Sequence, residues 1–237
     1  MEKLVRATPQ ELVATVAEQL CEIARDSIAA RGQFSLVLAG GSTPRALYQL
    51  LATPEWQNRI NWHKALVFFG DERAVPPDDE RSNYKMAREA LLQHIPIPAA
   101  NIYRMQGEAQ DLEAASRAYE NSLHALHVPL DLVLLGMGED GHTASLFPQT
   151  PALDEPARWC VATDVAPMEP PVRRLTLTYP VINAAHNIFI IVTGAAKADR
   201  VAQALGEDAD FHQTPVSGVQ PQQGRLVWML DEPAARK

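Results

Sequence analysis

Hydrophobic positions recur along this chain with two different periods. Leu12, Val16, Leu20, Ile23 and Ala24 return at the spacing of one helix face. "TPQE", from Thr8 to Glu11, predicts where that helix begins, with Thr8 as cap, Pro9 in the first helical position and Glu11 completing a capping box. Gly32 predicts its end. Beyond it, short unbroken apolar runs alternate with helical segments. "FSLVLAGGSTP", "ALVFFG", "LDLVLLG", "NIFIIVTG" and "GRLVWML" read as buried strands, "NIYRM" as a shorter one, and "RRLTLTY" as a strand leading into a short helix. Helices are expected after the first glycine pair, with Ser42 or Thr43 as cap, over residues 83–92, over "QDLEAASRAYENSLHAL" and over "AAKADRVAQAL".

Strands that alternate with helices predict an α/β fold, with a mostly parallel sheet and helices on both faces. The proline-rich stretch over residues 148–171 reads as an excursion bounded by elements of one sheet, so residues 1–237 are expected to form a single domain. With 46% hydrophobic and 21% charged residues, the composition excludes a disordered or fibrous chain. The net charge of −8 argues against nucleic acid and anionic lipid as partners. It leaves an anionic small molecule open, because a few local donors decide such binding. Cys21 and Cys160 have neither metal-type nor redox-type spacing, which makes a reducing compartment the default. Glu2, Glu11 and Glu18 interrupt any signal-peptide core, and no apolar run reaches the ~20 residues that span a bilayer. A cytoplasmic protein without a membrane segment is expected, as a monomer or small homo-oligomer.

In open parallel sheets, ligands bind beyond the carboxyl ends of the strands. Four polar loops of this chain fall there. "AGGSTP" has the parts of a phosphate cradle: Gly40 and Gly41 permit close backbone approach, Ser42 and Thr43 offer hydroxyls and amides, and a helix begins behind them. A tight strand-to-helix turn would use the same residues. "GDER" offers Arg73 as a bidentate anion clamp and Asp71 as a base or an acceptor for a sugar hydroxyl, or else a plain surface charge cluster. "TGAAKA" places Lys197 near a helix start, where a cation is disfavoured unless an anion is close. "GEDGH" is the sharpest. His142 can act as a general base, Asp140 or Glu139 can fix its tautomer, and the amides of Gly138 and Gly141 can serve an oxyanion. The bland reading is a histidine satisfied within its own turn. His124 and His127 lie three apart on a predicted helix without a third ligand, so no metal site is expected; the other histidines have no local signal, and the four tryptophans are expected in the core.

Taken in order, "LAGGSTPRALYQLLA", "FFGDERAVPPDDERSNY", "DLVLLGMGEDGHTASLFP", "VTGAAKA" and "PVSGVQP" resemble the 6-phosphogluconolactonase family over nearly the whole chain. The resemblance implies a three-layer α/β/α sandwich on a mostly parallel, Rossmann-like sheet, shared with glucosamine-6-phosphate deaminases. It implies hydrolysis of 6-phospho-D-glucono-1,5-lactone to 6-phosphogluconate, the second step of the oxidative pentose phosphate pathway, without a cofactor. By motif, His142 matches the catalytic histidine, Gly41, Ser42 and Thr43 the phosphate loop, Arg73 and Lys197 its cationic partners, and Asp71 an acid of the superfamily site. The deaminases resemble this chain less at one telling position: their "DGHIAFNEP" has a proton-relaying glutamate where this chain has Phe147. The alternatives are an amino-sugar phosphate deaminase or isomerase, and a non-catalytic sugar-phosphate sensor. The second would be expected to carry a DNA-binding helix-turn-helix, and the opening amphipathic helix has no basic recognition segment.

Overall fold

The computed structural model describes residues 1–126 and 129–236. The strands among them are β1 (Glu2–Arg6), β2 (Phe34–Leu38), β3 (Ala65–Phe69), β4 (Asp71–Arg73), β5 (Leu132–Leu135), β6 (Cys160–Ala162), β7 (Arg174–Leu177), β8 (Asn187–Val192) and β9 (Arg225–Asp231). The helices are α1 (Pro9–Arg31), α2 (Ser42–Leu51), α3 (Pro54–Gln57), α4 (Asn83–Ala87), α5 (Leu112–His124), α6 (Tyr179–Ile182) and α7 (Ala198–Leu205).

Six strands form one parallel sheet in the order β1-β9-β8-β5-β2-β3. Its inner strands are buried on both faces, and successive side chains enter different cores. Phe34, Leu36 and Leu38 of β2, with Leu132 and Leu134 of β5, pack with α1 and α2. Val37, Val133 and Leu135 enter the opposite core with residues of α5, α6 and α7. This alternation is why the predicted strands read as continuous apolar runs. From β2 the chain runs first to β3 on one side and later to β5 on the other, so the switch point lies between β2 and β5.

The opening helix starts as expected, with the Thr8 side chain accepting from the Glu11 amide. The return bond of the box goes one residue further out, to Ala7. Several expectations need correction. Neither Ser42 nor Thr43 caps α2: Gly41 occupies the cap and the helix starts at Ser42. "NIYRM" forms no strand, only an isolated bridge between Ile102 and Val67. The helix over residues 83–92 is α4 followed by a wider π turn at Arg88–Leu92. Above all, "RRLTLTY" does not join the main sheet. It is the middle strand of a second, antiparallel sheet ordered β4-β7-β6, for which "GDER" and the proline-rich excursion supply the flanking strands. Of the four tryptophans, Trp62 and Trp228 are buried, while Trp56 and Trp159 are partly buried.

Candidate active site

A cleft of about 230 Å³ opens at the carboxyl edge of β2, β5 and β8. Gly40, Gly41, Ser42, Thr43, Asp71, Arg73, Gly138, His142 and Lys197 all line it, so four loops distant in sequence meet at one place. Asp140 and Gly141 stand behind this lining.

β5 delivers the loop that carries His142. The imidazole Nδ1 lies 2.5 Å from Asp140 Oδ1, which also accepts from the His142 amide at 3.1 Å. An ionised carboxylate only accepts, so Nδ1 is the donor, and in the neutral imidazole that leaves the lone pair on the other ring nitrogen, Nε2. Burial acts to raise the Asp140 carboxyl, but the hydrogen bond and charge of His142 outweigh it, and the group lies below the usual range. Gly138 makes the contact possible: a Cβ there would stand 2.1 Å from His142 Nδ1 and 2.7 Å from Asp140 Oδ1. The glycine amides expected to serve an oxyanion both have acceptors within the turn. Gly138 N–H donates to the His142 carbonyl and Gly141 N–H to the Gly138 carbonyl, so both are spent on the turn itself. Phe147 is buried, its ring 4.8 Å from the imidazole. An apolar wall thus stands where the deaminase motif has a carboxylate.

Arg73, Arg174 and Lys197 bring cations to the same cleft. The first amides of α2, at Ser42 and Thr43, have no intrahelical acceptor and carry the positive end of the helix dipole. Thr43 Oγ1 is 2.8 Å from Thr193 Oγ1, which ties this loop to the one carrying Lys197. Burial pushes the Lys197 ammonium below its usual range while Glu139 pulls it back, which gives Glu139, unassigned from sequence, an electrostatic partner. Arg73 and Arg174 face each other across the β4–β7 ladder. One Arg73 nitrogen donates to the Arg81 carbonyl at 2.5 Å, and Arg174 donates to the Pro170 carbonyl at 2.9 Å. The Nε of each is buried without a partner. Burial, then the charge of Arg73, depress the Arg174 guanidinium. Two like charges on paired residues are unfavourable unless an anion joins them.

Arg174 lines the cleft and is missed by sequence reasoning. The available signal was the two-residue alternation that puts it on one strand face with Thr176. Glu72 and Asn83 are missed too. Buried Glu72 accepts from the amides of Arg73, Asn83 and Tyr84 and from the Ser82 hydroxyl, closing the loop between β4 and α4. Desolvation raises its carboxyl against those four hydrogen bonds. Asp71, also buried, accepts from Ser145 Oγ at 2.6 Å and from Asn83 Nδ2 at 2.9 Å, fastening the histidine loop to the small sheet. Among the described residues no group of three or more histidine, cysteine or acidic side chains could hold a metal ion. Of the two helical histidines, His124 stacks on Trp159, and His127 lies outside the described residues. His212, without signal in the sequence, pairs with Asp154 at 2.8 Å.

A parallel sheet bearing a histidine–aspartate dyad in one cleft with several cations defines an α/β enzyme for small anionic substrates. The chain matches the family model described as glucosamine-6-phosphate isomerases/6-phosphogluconolactonase over residues 7–228. It is 42% identical over 236 residues to a 6-phosphogluconolactonase of Mycobacterium tuberculosis, covering 95% of this chain and 94% of that one. The solved 6-phosphogluconolactonase of Trypanosoma brucei superposes with a TM-score of 0.87 at 32% identity, over 99% of this chain and 97% of the other. A monomeric glucosamine-6-phosphate deaminase shares the fold, with a TM-score of 0.86 at 23% identity, over 100% and 99% of the two chains. The chain belongs to the glucosamine-6-phosphate isomerase/6-phosphogluconolactonase family.

Proposed function

We propose that this chain hydrolyses 6-phospho-D-glucono-1,5-lactone to 6-phospho-D-gluconate, with His142 as general base. The observation that carries the mechanism is the dyad: Asp140 meets Nδ1, and the imidazole lines a cleft that Arg73, Arg174 and Lys197 also line. The 6-phosphate docks on the loop of Gly40, Gly41, Ser42 and Thr43 with Arg73 and Lys197. Arg174 adds a second guanidinium beside Arg73. The lactone ring then lies toward His142, with Asp71 beside it. His142 Nε2 takes a proton from water as the water oxygen attacks C1. The tetrahedral oxyanion is stabilised by the cationic wall, since the Gly138 and Gly141 amides are already engaged. As the C1–ring-oxygen bond breaks, protonated His142 returns its proton to the leaving oxygen, giving the free acid of 6-phosphogluconate.

The buried ring of Phe147 against His142 supports the lactonase over the deaminase, because no side chain there can relay a proton to an opening sugar ring. Among the described residues no helix is long and apolar enough to cross a membrane. Both cysteines are free and buried, which supports a cytoplasmic, reducing setting. His142→Asn tests the central claim. With the spontaneous rate subtracted, its kcat is expected to fall at least ~100-fold, the usual scale of general acid–base catalysis. Turnover within a few-fold of the parent would remove His142 as the base.

A further inference from the structure

Lys197 sits at the end of a tight turn, Ala195–Lys197, between β8 and α7, and nothing in that turn is rigid by composition. What aims the lysine is found one strand away. β9 pairs with β8 in a register that sets Leu230 beside Val192, so Asp231 comes level with the first residues beyond β8. Asp231 is 1% exposed and lies outside the cleft lining. Both of its carboxylate oxygens accept from the Gly194 amide, at 3.0 and 3.1 Å, and Oδ1 also accepts from Ala234 at 2.9 Å. The Gly194 carbonyl in turn accepts from the Lys197 amide at 3.2 Å. Gly194 has φ +96° and ψ +142°, a conformation that essentially only glycine adopts. A carboxylate thus grips the chain at the one residue whose backbone decides where the lysine turn goes. The neighbouring Thr193 hydroxyl meets Thr43, passing over the end of β5 to the phosphate loop.

We infer that Asp231 is a positioning residue for anion recognition: through Gly194 it sets the lysine turn, and through Thr193 it keeps Lys197 in register with the Gly41–Thr43 loop. The carboxylate meets no substrate atom. It is buried, and it acts through the amides that its two oxygens accept from, those of Gly194 and Ala234. Asparagine can keep Oδ1 for both amides, but it sets an NH₂ group where Oδ2 accepts from Gly194 at 3.1 Å, so two N–H donors oppose each other there and the grip on Gly194 is weakened. The inference rests on the reading of Lys197 as a ligand of the 6-phosphate, and the experiment separates the two.

Steady-state kinetics on 6-phosphogluconolactone are compared for the parent, Lys197→Ala, Asp231→Asn and Gly194→Ala. Gly194→Ala removes no contact, since a Cβ there meets nothing within 4 Å, and strains only the backbone. Both Asp231→Asn and Gly194→Ala are expected to raise KM about tenfold while kcat stays within about twofold, the pattern of lost substrate binding. A purely structural role would instead lower the thermal midpoint and the active fraction, so kcat would fall and KM would stay. That outcome, or an unchanged KM in both variants while Lys197→Ala raises it, overturns the inference. An unchanged KM in Lys197→Ala overturns the phosphate reading itself. If Asp231→Asn fails to fold, Gly194→Ala alone decides.

Discussion

At the scale of single residues, the site depends on a few side chains whose charge is managed by one neighbour each. Asp140 shows how this shows up in measurement. Its folded-state pKa is depressed, so its contribution to stability is present above the ordinary carboxylate value of about 4 and is lost as pH falls through the lowered value. Its side chain is 40% exposed, so the effect is modest. In urea unfolding, the advantage of the parent over Asp140→Asn is expected to shrink as pH is lowered from about 6 to about 3. A gap that does not change with pH would mean that the carboxylate is not held by His142. Sequence reasoning places His142, Asp140, Arg73 and Lys197 beyond strand ends because glycines, acids and cations crowd the ends of apolar runs, and all but Asp140 line one cleft. The partners of the glycine amides are harder to read from sequence, because which acceptor a turn amide reaches depends on how the turn closes. Gly138 leaves no room for a side chain beside the imidazole.

At the scale of elements, long apolar runs were legible and short polar strands were not. β2, β3, β5, β8 and β9 bury both faces, so their composition alone marks them. β1 reads "EKLVR", the charged composition typical of an edge. β4 is three polar residues, and its partner β7 lies about a hundred positions away, so nothing local reveals the pairing. The loop between β4 and α4 is closed by Glu72, whose carboxylate gathers four donors. Glu72→Ala would leave those donors without a buried acceptor and is expected to destabilise the fold by about 3 kcal/mol, read by denaturant titration. A loss below about 0.5 kcal/mol would show that the loop is held by packing instead.

At the scale of the whole molecule, two cores share one sheet, and the inner strands are sealed from both sides. Residues 164–169, by contrast, are exposed apart from Ala166 and have Met168 and Glu169 at the mouth of the cleft. Amide hydrogen exchange should therefore be slowest in β5 and β8, where opening requires global unfolding, and faster by several orders of magnitude over residues 164–169. Comparable rates in the two regions would contradict this ranking.

The order of the main sheet also has a consequence in time. Among the described residues β9 is the last strand in sequence order, yet it lies between β1, the first of them, and β8. A ribosome delivers residues 1–224 before any of β9 exists. Through that interval β1 has no strand partner and β8 has one unpaired edge, and Asp231 has not yet reached the lysine turn. The dyad and the proposed phosphate loop belong to elements already made, while the aim of Lys197 awaits β9. On the proposed reading of the site, a nascent chain would hold most of its catalytic parts before it could grip its substrate, and the exposed strand edges would make that interval its period of greatest risk for association with other chains.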